Sequence, residues 1–88
     1  AAYREIVVAR GGIGLLIGVL IQFEEDSAVQ TQALRALLSL THADDLSRFL
    51  VFSEEDGVAT ILNTLKVHQA NPYVCTVVFS LLANLARL

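Results

Sequence analysis

The chain has 88 residues with a net charge of −3; 55% of the residues are apolar and 17% are charged. Its six basic residues are scattered and form no stripe with interleaved aromatics, so we expect no nucleic-acid ligand. Typical domains are about 45–50% apolar, and so short a chain has too little interior to bury this excess. We therefore expect it to associate or to belong to a longer chain or a larger complex.

The single cysteine and two uncharged runs indicate the cellular compartment and whether the chain could span a membrane. Cys75 is the single cysteine, which excludes an internal disulfide, suits a reducing compartment and is interpreted as a packing residue. The uncharged run over residues 11–23 is shorter than the roughly 20 residues that a membrane span needs. The longer run over residues 67–86 is interrupted by polar residues and a proline. We expect no leader peptide, no membrane segment and a cytoplasmic protein, with nuclear or cytoskeletal association as alternatives.

The first predicted elements are two helices joined at a glycine pair. A short helix over residues 4–9 ends at Gly11-Gly12, because glycine permits the positive φ that closes a helix and turns the chain. A second helix follows over residues 13–21. Its apolar residues recur at i, i+3, i+4 and i+7, the spacing of a buried helical face. These residues are Ile13, Leu16, Ile17 and Leu20.

The second helix contains two further glycines, Gly14 and Gly18. Each costs a helix about 1 kcal/mol relative to alanine. We interpret both as positions where a neighbouring helix approaches closely.

An acidic loop separates the second helix from a longer third one. Glu24, Glu25 and Asp26 lie in this loop, which we interpret as a solvated turn, and Ser27 stands where an N-cap residue is expected. The third helix has an apolar stripe, in which small residues allow close helix packing. The stripe consists of Val29, Ala33, Leu34, Leu37 and Leu40.

The second half of the chain repeats these elements. A short helix over residues 46–53 leads to the step Asp56-Gly57, and a second helix follows over residues 58–67. Asn71 is the predicted N-cap of the third helix, and the proline after it suits the first helical turn. The predicted buried residues are Val58, Ile61, Leu62, Leu65, Val74, Val78, Phe79, Leu82 and Leu85.

A shift of 45 residues aligns the two halves of the chain. Gly12 then matches Gly57, and the large aliphatic residues keep their register across the two helical segments that follow. A self-similar period of this length is the sequence signature of a repeat protein. The sequence therefore predicts an all-α chain of two three-helix repeats, at residues 1–43 and 44–88.

The repeated unit resembles the armadillo repeat. In that family a glycine pair precedes an aliphatic second helix, and the third helix ends in the pattern alanine, leucine, any residue, asparagine, leucine. GGIGLLIGVL and DGVATILNTL are similar to the turn and second helix, and VQTQALRALLSL and VCTVVFSLLANL are similar to the third. The resemblance implies a right-handed α-α superhelix, or solenoid. The HEAT repeat is the main alternative, and the short first helix before Gly-Gly favours armadillo.

Several positions depart from the armadillo pattern. Gly14 stands where many of these repeats have a proline, and Ser39 replaces the asparagine that Asn84 retains. Peptide-binding importin-α proteins have a tryptophan four residues before that asparagine, where this chain has Arg35 and Ser80. The missing tryptophans argue against the binding of nuclear-localisation signals.

The resemblance implies a non-catalytic scaffold for protein–protein interaction. The third helices of an armadillo array line a concave groove, which would hold an extended peptide or a helix of a partner. Because an asparagine amide both donates and accepts, Asn84 suits binding to a peptide backbone; the alternative is a bond within its own protein. The predicted groove residues are Gln32, Arg35, Ser39, Val77, Ser80 and Asn84.

Motifs for enzyme or cofactor chemistry are not found. Residues 12–17 lack the third glycine of a dinucleotide fingerprint, and Gly18 is not followed by the lysine of a phosphate loop. Neither histidine has an i, i+4 partner for zinc, and His42 with Asp44 and Asp45 offers at most a weak cation site. We expect no catalytic residue, no cofactor and no metal.

Other functions of a repeat segment stay open. Solenoid units need roughly three or more copies for stability, which predicts a longer array. One alternative is an architectural segment of a large cytoskeletal or ciliary assembly that packs by its outer face. A nuclear transport adaptor is a further alternative, weakened by the missing tryptophans.

Overall fold

Six α-helices follow one another in the computed structural model, which describes residues 2–42 and 44–88. Residues 1 and 43, the two ends of the predicted first repeat, lie outside the described part. The helices are α1 (Ala2–Ala9), α2 (Gly12–Gln22), α3 (Ser27–Thr41), α4 (Asp45–Ser53), α5 (Gly57–Val67) and α6 (Pro72–Leu85). The described residues contain no strand, and the predicted all-α class is confirmed.

The helix boundaries recur with the 45-residue spacing of the sequence. Helices α2 and α5 begin at Gly12 and Gly57, and helices α3 and α6 begin at Ser27 and Pro72. Every predicted helix is present, and the four helices with predicted bounds begin and end within two residues of them. We call α1–α3 the first unit and α4–α6 the second unit, and residues 45 positions apart are called counterparts.

The turn before the second helix differs between the two units. Gly11 has a φ of 78°, as predicted for a glycine that closes a helix. In the second unit the positive φ belongs to Asp56, at 59°, and not to Gly57, which already begins α5. The predicted role of Gly57 in the turn is therefore wrong. A short polar side chain tolerates the left-handed region and replaces glycine here.

The first glycine of each second helix is needed for close packing. A Cβ at Gly57 would overlap the carbonyl oxygen of Val51, the last buried residue of α4. A Cβ at Gly12 would lie 2.8 Å from the carbonyl oxygen of Val7, on the equivalent helix α1. Because only glycine fits, the short first helix and the second helix can cross with their backbones nearly in contact.

The other two glycines of α2 do not behave alike. A Cβ at Gly14 would lie 3.0 Å from the carboxylate of Glu54, which is the end of a flexible side chain. A Cβ at Gly18 would meet nothing within 4 Å. The expectation of a close neighbouring helix is thus wrong for Gly18, and at Gly14 the neighbour is a side chain at the end of α4.

The predicted N-cap of the third helix is correct in the second unit and wrong in the first. Asn71 is confirmed as the N-cap of α6, since its Oδ1 accepts from two backbone N–H groups at 3.0 and 3.3 Å. The N-cap of α3 is Asp26 and not Ser27, because the Asp26 carboxylate accepts from the N–H of Val29 at 3.1 Å. An anionic cap also benefits from the positive end of the helix dipole.

Counterpart helices pack side by side across the two units. Helix α3 packs along α6 and α2 packs on α5, while α3 covers α2 and α6 covers α5 within each unit. Helix α4 lies at the junction, where it contacts α2, α3 and α5. The buried apolar residues form one core: Ile13, Ile17, Leu20, Ala33, Leu34, Leu37, Leu40, Val51, Ile61, Val74, Val78, Leu81 and Leu85.

Burial departs from the predicted stripes in both units. Five predicted residues are only half-buried: Leu16, Val29, Val58, Leu65 and Leu82. Leu62 and Phe79 were predicted to be buried, and both are about half exposed. Val51 and Leu81 were not among the predicted core residues, and both are fully buried. The reason is that α5 and α6 each have two apolar sides, of which only the side toward the first unit is covered.

Candidate protein-binding groove

The surface of α3 and α6 contains all six predicted groove residues, at different depths. Neither helix contains an aspartate or a glutamate. Gln32, Arg35, Ser39 and Ser80 are exposed, Val77 is half-buried and Asn84 is 7% exposed. Four of the six side chains are therefore exposed to solvent.

Arg35 and Ser39 lie together at a shallow hollow on α3. The hollow is lined by Arg35, Leu38, Ser39 and His42, successive residues on one side of the last turns of the helix. Arg35 also reaches the second unit, where its Nη1 donates to the hydroxyl of Tyr73 at 3.2 Å. This hydrogen bond spans the seam between α3 and α6, and it uses one of the five N–H donors of the guanidinium.

Gln32 lies on the other side of α3. It lines an apolar hollow between α2 and α3, together with Leu16, Val19 and Ala33. Arg35 lines a different hollow, so Gln32 is not brought together with it, whereas Ser39 also lines a hollow that shares Leu16 with that of Gln32. Part of the predicted groove set therefore belongs to a second surface.

Asn84 is tied to the first unit. Its Nδ2 donates to the carbonyl oxygen of Leu38 at 3.2 Å and to the hydroxyl of Thr41 at 3.3 Å. Both acceptors lie at the C-terminal end of α3, where helix carbonyls lack intrahelical partners. These bonds favour the structural alternative for Asn84, and a role in peptide binding stays a prediction.

Two arginines close the same end of α3. Arg48 is only 5% exposed and donates to the carbonyl oxygens of Thr41 and His42 at 2.8 and 2.6 Å. Its Nη1 pairs with Asp45 at 2.6 Å, and Arg87 donates to the carbonyl oxygen of His42 at 3.0 Å. Cations at a helix C-terminus complement the helix dipole. Sequence reasoning missed this cluster, because the carbonyl partners of Arg48 lie at the end of the preceding helix and leave no local signal.

Gln30 makes a second buried connection between the units. Its side chain is fully buried, and Nε2 donates to the carbonyl oxygens of Leu20 and Phe23 at 3.1 and 2.9 Å. Its Oε1 accepts from the hydroxyl of Thr64, on α5, at 2.8 Å. One amide thus caps the end of α2 and joins α2, α3 and α5. The helical spacing carried a signal for this burial, since Ala33, Leu34 and Leu37 follow Gln30 at i+3, i+4 and i+7, but the polar side chain kept it out of the predicted stripe.

Residues of the acidic loops and His68 make contacts within the protein, including a 2.8 Å contact of His68 Nε2 with the carbonyl oxygen of Glu24. Asp44 accepts from the N–H of Leu46 at 3.0 Å and caps α4, and Asp45 pairs with an arginine. Glu24 accepts from the amide of Asn63 at 2.7 Å. In the described part of the chain, no three His, Cys, Asp or Glu side chains are grouped in a way that could hold a metal ion.

Comparison with known proteins adds no identification. No protein-family model, curated protein or solved structure matches the chain at a significant level. Within residues 2–42 and 44–88, none of the helices combines the length and apolar character that crossing a membrane requires. The residues and their geometry therefore carry the functional argument.

Proposed function

We propose that the chain is a non-catalytic scaffold for protein–protein interaction, a two-repeat segment of a right-handed armadillo-type solenoid. The observation that supports it is the packing of counterparts: α2 on α5 and α3 on α6, at a constant offset of 45 residues. Units that stack on their neighbours in this way build solenoids. The single cysteine suits a reducing compartment, so we place the scaffold in the cytoplasm.

The binding surface of this scaffold is the side of α3 and α6 that carries Arg35, Ser39 and Ser80. Arg35 has donors beyond the one used by Tyr73, and no carboxylate on either helix competes for them. Leu38 supplies apolar surface beside them. An extended segment with carbonyl or carboxylate groups toward Arg35 fits this chemistry, because guanidinium bonds to such acceptors are directional and strong.

The test is selection of peptides from a random display library, followed by NMR titration. We expect selected peptides to shift amide signals of α3 and α6, and Arg35→Ala to weaken binding roughly fivefold to tenfold, as for an interface arginine worth about 1 kcal/mol. Lys66→Ala, on the exposed side of α5, is the matched control and leaves affinity unchanged. Shifts confined to α4 and α5, or equal affinity for the Arg35 variant, would contradict the groove.

Asn84 needs a separate measurement because it has internal partners. Asn84→Ala removes the bonds to Leu38 and Thr41 and lowers the free energy of unfolding by about 1 kcal/mol. If Asn84 also binds the peptide, affinity falls under conditions where the variant is fully folded. An unchanged affinity assigns Asn84 to the seam alone.

A second candidate, an architectural segment that packs by its outer face, is favoured by one observation. Leu46, Phe49 and Phe52 follow one another at three-residue intervals on α4, and each is half exposed. A photo-crosslinking residue at position 49 or at position 80, in the chain's own cellular context, separates the candidates. The scaffold predicts crosslinks to a partner from position 80, and the architectural role predicts them from position 49.

A further inference from the structure

Helix α4 distributes its polar and apolar residues in the reverse of the usual way. A surface helix normally buries its apolar side and exposes its polar side. Two of the three buried residues of α4 are polar, Ser47 and Arg48. Three large apolar residues at intervals of three, Leu46, Phe49 and Phe52, are instead about half exposed. The packing of the chain on itself therefore does not explain the apolar character of the outer side of α4.

The three exposed residues form one continuous surface, which we call the α4 strip. Residues three positions apart on a helix are neighbours on its surface. An aromatic side chain covers roughly 150–250 Å² when buried, so two half-exposed rings and a leucine leave on the order of 300 Å² open. A single exposed apolar residue is ordinary, but a contiguous patch of this size on a small protein is typical of an interaction site.

Neither the repeat nor a further unit of it accounts for the α4 strip. The counterpart of Phe49 is Arg4, so this aromatic residue is not part of the repeated pattern. In the part of the chain that the structure describes, α4 packs on α2, α3 and α5 and makes at most a marginal contact with α1. A following unit in the same register would place its own first helix on α5 and α6. The α4 strip would stay open in such an array, so its exposure does not depend on where the chain begins or ends.

The charges around the α4 strip determine what can cover it. The only basic residue of α4 is Arg48, which is buried and paired with Asp45 at the start of the helix. Residues 54–56 follow the helix as three consecutive exposed carboxylates, two positions beyond the last ring of the strip. The C-terminal end of the helix dipole adds negative potential at the same place. A complementary ligand therefore has an apolar side and positive charge at one end.

We propose that the α4 strip binds a basic amphipathic helix of a partner protein. The apolar side of that helix covers Leu46, Phe49 and Phe52, and its lysines or arginines lie beside residues 54–56. Helices pack side by side through apolar residues at this three- and four-residue spacing. An anionic membrane would be repelled by the acidic turn, and a second copy would add its own acidic turn to the contact. The proposal goes beyond the groove of α3 and α6, and it gives the outer surface of the architectural candidate a partner of defined chemistry.

The test is selection from a display library in which one exposed helix of a stable scaffold is randomised, with the 88-residue chain as bait. We expect the selected helices to have apolar residues at i, i+3, i+4 and i+7 and more basic than acidic residues. Phe49→Glu weakens their binding roughly tenfold or more, as for a central aromatic residue of an interface. Phe79→Glu, an equal change at an equally exposed ring on α6, is the matched control and leaves affinity unchanged. Circular dichroism verifies that both variants are folded.

A second pair of variants tests the charge. Glu55→Lys reverses one charge of the acidic turn without altering the α4 strip, and we expect binding to weaken roughly threefold to tenfold at low salt. Glu25→Lys makes the same change in the exposed loop before α3 and leaves affinity nearly unchanged. Arg35→Ala also leaves it unchanged, so a failure of the groove does not affect this result.

Three outcomes would overturn the proposal. The first is a selection that yields no helix whose affinity depends on Phe49. The second is a set of selected helices without an excess of basic residues, or with equal affinity for the Glu55 and Glu25 variants. The third is Phe49-dependent binding of the chain to vesicles of phosphatidylcholine and phosphatidylserine, which would assign the α4 strip to a membrane surface.

Discussion

The two units share helix order and spacing, yet their third helices are held by different chemistry. Gln30 in α3 and its counterpart Cys75 in α6 both face the end of the preceding helix. Gln30 donates to the carbonyl oxygen of Phe23 at 2.9 Å, and the Cys75 thiol lies 3.6 Å from the equivalent oxygen of His68. The same backbone geometry thus accepts a strong or a weak donor.

The difference is explained by what lies beyond each helix. Gln30 lies next to α5, where its Oε1 accepts a hydrogen bond from the Thr64 hydroxyl while its Nε2 donates to two backbone carbonyls. One amide side chain therefore provides hydrogen-bond partners for three groups. The Cys75 thiol is half-buried and lies against the carbonyl oxygens of His68 and Gln69, at 3.6 and 3.7 Å. The two units therefore share backbone positions, and the side chain at each position differs with the contacts that it makes.

The largest expected difference between the units is at the counterparts Leu34 and Phe79. Leu34→Ala leaves a cavity in the covered junction and lowers the free energy of unfolding by about 3 kcal/mol. Phe79→Ala removes a half-exposed ring and costs less than about 1 kcal/mol in the monomer. Urea denaturation at low protein concentration measures both. If the two variants lost similar amounts of unfolding free energy, Leu34 and Phe79 would be equally covered, which would contradict their different burial.

A smaller difference is expected at Gln30 and Cys75. Gln30→Leu keeps the size of the side chain but leaves the Thr64 hydroxyl and two carbonyl groups without their partner. We expect a loss of about 2 kcal/mol, because unsatisfied buried groups are costly. Cys75→Val removes only a weak sulfur donor and changes stability by less than about 0.5 kcal/mol. Thermal unfolding followed by circular dichroism gives both values, and a cost at Cys75 as large as at Gln30 would refute this ranking.

The smallest expected effect is at Gly18 and its counterpart Asn63. Gly18→Ala fills open space on a helix and raises the free energy of unfolding by about 0.5–1 kcal/mol. Asn63→Ala loses the 2.7 Å bond to Glu24 and gains helix propensity, so the net change is near zero. Denaturation in urea distinguishes the two, and destabilisation by Gly18→Ala would reveal a neighbour that the open surface around Gly18 does not show.

Most helices and their turns were predictable because their signals are local. The apolar spacing of α2 identifies Ile13 and Ile17 as buried, and both are. The N-cap of α3 was placed one residue late, since Asp26 and Ser27 are both good caps and only the backbone reveals which one accepts the Val29 N–H. The positive φ of Asp56 was not predicted, because glycine adopts such a conformation more easily and Gly57 was expected to supply it. Gly57 is instead needed where α5 packs closely on α4.

The candidate groove was predictable only in part. The pattern predicted Arg35, Ser39 and Ser80 to share one surface; all three are exposed, and Arg35 and Ser39 line one hollow, while the shared surface with Ser80 stays a prediction. It placed Asn84 there too, whereas the structure buries that side chain against the end of α3. The buried Arg48 had no local signal, because its partners are the carbonyls of another helix.

By itself the sequence determined the class, the six helices and their 45-residue period, because periodicity, capping and glycine act over a few residues of chain. Only the tertiary structure decided which apolar side of each helix is covered. It also decided which polar residues join the units. These outcomes depend on residues that are distant along the chain and close in space, such as Gln30 with Thr64. Equivalent positions of the two apolar stripes can therefore be buried in one unit and exposed in the other, as Leu34 and Phe79 are.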